Sequence, residues 1–127
     1  MISLLISAVL FVCIDAIYLN LMKGYFNNQI KQVQGSPIQL NLVGAFLTYI
    51  FLIYGLNYFI ISKNKSVGDA FLLGIVIYAV YEFTNLSLLK NWHVLTTILD
   101  TTWGGILFAL TTFLVYKIKS IFPKIHF

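Results

Sequence analysis

Four stretches of this 127-residue chain are each apolar enough and long enough to cross a bilayer, and only short polar connections separate them. A helix needs about 20 residues to cross a hydrocarbon core ~30 Å thick. Backbone groups in lipid must be satisfied within the segment, so apolar stretches of this length are helices. Apolar residues make up 60% of the chain and charged residues 9%, far from the ~25% charged of an average soluble domain. The expectation is an all-α membrane protein, an antiparallel four-transmembrane-helix bundle. Residues 1–127 form a single integral membrane domain with spans at approximately 2–22, 39–61, 70–89 and 95–116, then a basic tail at 117–127. Its immediate partner is the lipid bilayer.

The connections fix the topology. The first apolar run has no basic segment ahead of it and exceeds the roughly 7 to 15 residues of a signal-peptide core, so it reads as a retained span. Lys23 to Pro37 (KGYFNNQIKQVQGSP) reads as a loop from its Asn, Gln, Gly and Pro content. Ser62 to Gly68 is a turn, with Asp69 expected to cap the next helix, and Lys90 to Val94 is a second turn. Lys63, Lys65, Lys117, Lys119 and Lys124 lie on the side of the termini, against Lys23, Lys31 and Lys90 opposite. That bias places both termini in the cytoplasm. Tyr18, Tyr25, Trp92 and Tyr116 fall near the interfaces, where amphipathic rings anchor spans. The basic residues lie singly or in short pairs, unlike a nucleic-acid-binding stripe, so no nucleic acid is expected as partner. The single Cys13 admits no intrachain disulfide and reads as a small core residue.

Against this background three acidic residues stand out. Asp15 lies seven residues from Met22, Glu82 seven from Leu89 and Asp100 five from Leu95, depths of roughly 8 to 11 Å. Each costs at least ~2.5 kcal/mol on insertion scales, so such groups face a bundle interior or a wet cavity and mark function. Tyr78, Glu82, Asn85 and Leu89 recur at helical spacing on one stripe. Asp100 shares a face with Thr96, Thr97, Trp103 and Gly104, and Asn41 could reach the same layer. The site expected from these residues binds an ion, a proton or a substrate through Asp15, Glu82, Asn85, Asp100 and Trp103. Tyr18, Tyr78, Trp92, His93 and Gly104 support it. Polar side chains also hold membrane helices together for ~0.6 to 2 kcal/mol each, and a purely structural network has the same appearance.

Other chemistry lacks its signature. There is no HxxxH or ExxH spacing for a metal, no phosphate-binding glycine loop, no CxxC and no GxSxG elbow. No metal, cofactor or catalytic residue is expected, and His126 receives no functional reading. Gly105 and Ala109 stand at small-xxx-small spacing and offer a contact for a homo-oligomer.

The segments Ile14 to Leu19 (IDAIYL), Tyr81 to Leu86 (YEFTNL), Lys90 to Trp92 and Asp100 to Gly105 (DTTWGG) together point to a family. In order and spacing the chain resembles the small membrane proteins grouped as domain of unknown function 2177, from about Leu4 to Tyr116. Asp15, Asn85, Leu86, Trp92, Asp100, Trp103 and Gly104 match that family's pattern. Glu82 stands where Asp is usual and Tyr18 where Trp is usual. The resemblance implies a four-helix membrane protein and carries no activity.

Three functional classes follow. A small proton- or cation-linked transporter or channel-like protein uses the acidic layer to hold a proton or small cation. A structural or assembly protein of a cellular or viral membrane uses it to fix helix register. A membrane enzyme acting on a lipid or quinone uses two carboxyl groups as acid and base, and enzymatic activity is left open.

Overall fold

A computed structural model describes residues 2–124, and these contain helices and no strands. His126 and the last residues of the basic tail lie outside the described residues. Five α-helices follow one another: α1 (Ile2–Leu21), α2 (Lys23–Gln34), α3 (Leu42–Phe59), α4 (Val67–Leu88) and α5 (Val94–Ile121). All but α2 are long and apolar enough to cross a membrane, and a short 3-10 turn at Ile61–Lys63 extends α3. The chain is a multi-pass all-α bundle.

The segment read as a loop at Lys23 to Pro37 is mostly the helix α2. Gln, Lys and Ile favour helix, and Tyr25, Phe26 and Gln29 turn inward while Lys23, Lys31 and Gln32 stay exposed. The turn signal was real but belongs to the helix end. Gly35 takes the left-handed C-cap conformation at φ 79°, its N–H bonded to the Lys31 carbonyl. At the other end Met22 forms a one-residue joint to α1.

The caps of α3 and α4 are Asn41 and Ser66. Asn41 does not reach the acidic layer: its side chain accepts from the Gly44 N–H at 3.0 Å and starts α3. Ser66, not Asp69, caps α4, accepting from the Asp69 N–H at 3.0 Å. Asp69 occupies the first turn, where its charge favours the helix dipole. Cys13 is exposed on the outside of α1 rather than buried.

The helices are arranged α3, α1, α5, α4, with α1 and α5 central. The core lies between them: Phe11 packs edge-on against Phe108 with centroids 5.5 Å apart, and Leu56, Leu107 and Val115 are fully buried beside it. The closest approach is between α4 and α5. A Cβ on Gly74 would collide with the carbonyl of Gly104, and one on Gly104 would collide with the Tyr78 ring. Only glycine permits the two backbones to meet there. Gly105 is buried against Ile75 and Phe71 of α4, so at that residue the small face is occupied by a helix of the same chain. In contrast, α3 and α4 scarcely touch.

Candidate functional site

The C-terminal half of α1, the last turns of α4 and the first turns of α5 meet at one end of the bundle, and α2 lies across that end. Asp15 on α1 is 7% exposed. Its carboxylate accepts from the Tyr49 hydroxyl of α3 at 2.5 Å and from the Trp103 indole N–H of α5 at 2.9 Å. Three helices thus converge on one side chain. Tyr18, one turn along α1, stacks flat on Trp103 at 4.3 Å and fixes the indole's orientation.

Glu82 on α4 is 1% exposed and accepts from the Trp92 indole at 3.0 Å. Trp92 is itself 8% exposed, so it is a buried donor rather than an interfacial anchor. Glu82 and Asp100 act on one another across the α4–α5 seam, and both line the hollow beneath α2. A hydrogen bond between two carboxyl groups needs a proton on at least one of them, because an ionised carboxylate has none to donate. The Tyr18 hydroxyl is buried beside Asp100 but makes no well-formed hydrogen bond. Asp15 therefore has its own set of donors, while Glu82 and Asp100 form a pair.

The remaining sequence-derived residues divide. Tyr78 lies over Gly104 and closes the α4–α5 seam. Asn85 is half-buried on α4, and no hydrogen bond joins its side chain to the pair among the described residues. His93 is exposed, precedes α5 and bonds through its ring to the Gln32 side chain of α2.

Gln29, Tyr49 and Tyr81 were missed. Gln29 is 2% exposed and acts as a clamp. Its amide donates to the Asn91 carbonyl at 2.9 Å, while its oxygen accepts from the His93 N–H at 3.0 Å and the Thr96 hydroxyl at 2.6 Å. Tyr25 reaches the same Thr96 hydroxyl at 2.8 Å. Together these bonds fasten α2 over the pair. No sequence signal marked them, since Gln29 lies in a segment with loop-like composition and Tyr49 is one of eight tyrosines.

Two hollows reach Asp100. One of about 390 Å³ lies beneath α2, lined by Phe26, Gln34, Tyr81, Glu82, Trp92 and Asp100. The other, about 350 Å³, lies between α3 and α4, lined by Thr48, Leu52, Ile77, Tyr78, Tyr81 and Asp100. Asp100 and Tyr81 are common to both. Among the described residues no group of three or more His, Cys, Asp and Glu is disposed to hold a metal ion.

No curated protein and no solved structure matches the chain. A family model described as predicted membrane protein (DUF2177) matches residues 1–117.

Proposed function

The chain belongs to the DUF2177 family of predicted membrane proteins, and from that premise we propose that it is a small proton-linked carrier whose working site is the Glu82–Asp100 pair. The observation that carries this reading is the meeting of two separate hollows at Asp100. A carboxyl reached both from beneath α2 and from the flank between α3 and α4 can meet a proton on one side and a cation on the other, and an intramembrane acid so placed is suited to coupling the two. The pair is suited to the task because it holds one proton between two oxygen acids and can release it when a cation takes its place.

Asp15 has a different part in this reading. With two donors already directed at it, it ties α1 to α3 and α5 and supplies a fixed negative charge near the pair. Trp92 and Trp103 orient the carboxyl groups, and α2 covers the hollow beneath it. The lysine distribution supports an orientation with both termini in the cytoplasm, which directs α2 and the α4–α5 turn to the opposite side.

The test is proton movement into proteoliposomes under an imposed pH gradient, read by an entrapped pH-sensitive dye at matched protein insertion. Asp100→Asn and Glu82→Gln are expected to abolish the protein-dependent signal. Asp15→Asn is expected to reduce the folded fraction and leave the signal per folded molecule. Undiminished proton movement in both pair variants would overturn the reading in favour of a bundle whose acids serve only to hold helices together.

A further inference from the structure

The hollow between α3 and α4 differs from the one beneath α2 in what lines it. Its walls are Leu52 of α3 and Ile77 of α4, the rings of Tyr78 and Tyr81 stand beside Asp100, and the Thr48 hydroxyl lies at the rim. Thr48 and Tyr81 are exposed, the latter by 59%, so the cleft opens on the flank of the bundle. That flank is apolar: Leu47 and Phe51 on α3 and Val76 and Val80 on α4 are all exposed around it. Its volume of about 350 Å³ falls within the roughly 300 to 1,000 Å³ of small-molecule sites.

An acid beside two tyrosine rings selects for positive charge. The carboxylate supplies a counter-charge, and an aromatic ring attracts a desolvated organic cation to its face. Among the described residues the groups acting on the pair include no cation: they are Asp15 and Tyr18 from α1, with Tyr25 of α2 next to Tyr18, Tyr49 of α3 on Asp15, Tyr78 of α4, and the neutral Trp92 indole. A neutral amphiphile would use the apolar walls but leave the acid uncompensated. The flank of a second copy would bring no positive charge either, because α1, α3 and α4 contain no lysine.

We propose that this cleft binds an amphiphilic organic monocation, its head against Asp100 between Tyr78 and Tyr81 and its alkyl tail along Leu52 and Ile77. The inference rests on the carrier reading and names its substrate class. Charge balances at the site: one positive head enters and the single proton of the Glu82–Asp100 pair leaves to water. Access is from the side, so the ligand partitions into the bilayer before it binds.

The experiment uses the full chain in phosphatidylcholine nanodiscs, with empty nanodiscs as the partition baseline. The probes are radiolabelled decyltrimethylammonium, decanol and decyl sulfate. The cation alone is expected to bind saturably, with one proton released per cation. Its apparent Kd should rise about tenfold per unit fall in pH while the pair holds its proton, as one-for-one exchange requires. Tyr81→Ala is expected to weaken binding roughly 3- to 30-fold, Tyr81→Phe to restore it, and Thr48→Trp to block it by filling the cleft. Equal saturable binding of decanol, or cation binding indifferent to Thr48→Trp and Tyr81→Ala, overturns the inference. Absence of saturable cation binding alongside Asp100-dependent proton movement overturns it and leaves the carrier reading intact. Absence of both defeats the two together. The three-probe comparison on the unaltered protein decides the matter even if a variant fails to fold.

Discussion

Helix α4 has two sides built in opposite ways over the same few turns. Toward α5, Gly74 and Tyr78 meet Gly104 so closely that no β-carbon fits. Toward α3, Ile77 and Tyr81 line a hollow of about 350 Å³. Both sides are made of small, apolar and aromatic residues, and composition alone does not distinguish them. What differs is whether a glycine stands opposite a ring or a carbonyl. Where it does, backbones approach and dispersion contacts accumulate. Where Leu52 and Thr48 stand opposite instead, the helices remain apart. The seam fixes Glu82 and Asp100 relative to one another, since they sit on the two helices it joins. The gap leaves the same acid reachable.

The largest expected effect tests the seam itself. Gly74→Leu should cost about 3 kcal/mol or more, because overpacking a site with no room forces the backbones apart. Unfolding in SDS, followed by the fluorescence of Trp92 and Trp103, measures it. Enlarging the other side with Leu52→Phe should change stability by no more than about 0.5 kcal/mol, since the added atoms enter open space. Equal costs on the two sides would erase the contrast.

Smaller effects test the donors. Trp103→Phe and Tyr49→Phe should each destabilise by about 1 to 2 kcal/mol, having left one oxygen of a buried carboxylate unsatisfied. The double variant should depart from additivity, because both donors serve Asp15. The same unfolding assay, run as a cycle, reads this. Gln29→Leu should cost about 1 kcal/mol and raise amide exchange in α2 while that of α4 and α5 is unchanged. The smallest effect is Tyr81→Phe, expected within about 0.5 kcal/mol of wild type, since among the described residues no hydrogen bond ties its hydroxyl to the bundle. A large loss there would mean that the gap is braced by Tyr81.

The fold class was legible because it depends on a summed property. Four long apolar runs with polar breaks leave a chain no alternative to helices, and no single residue decides the matter. Family membership was legible from ordered motifs such as DTTWGG at Asp100 to Gly105. Asp15, Glu82 and Asp100 drew notice because charge in an apolar helix is costly. Their partners did not, because partnership depends on relative rotation of helices that periodicity leaves open. Tyr49 resembles any other tyrosine until α3 is laid against α1. Trp92 was read as an anchor from its place in a turn, yet the turn folds inward and buries it against Glu82. The helix α2 was hidden by the Asn, Gly and Pro of its segment, which mark turns, while of its polar side chains Gln29 is the buried one. Gln29 is buried because the Asn91 carbonyl, the His93 N–H and the Thr96 hydroxyl all require a partner.

The bond between Trp103 and Asp15 joins residues 88 positions apart in the chain, and this sets a schedule for assembly. In a chain made N-terminus first, α1 emerges bearing an acid for which it has no donor of its own. Tyr49 arrives with α3 and supplies one bond, and the second waits for α5. Until α5 is in place, Asp15 lacks the second of the two donors it has in the finished bundle. The finished bundle is closed by the same two side chains that make its beginning precarious.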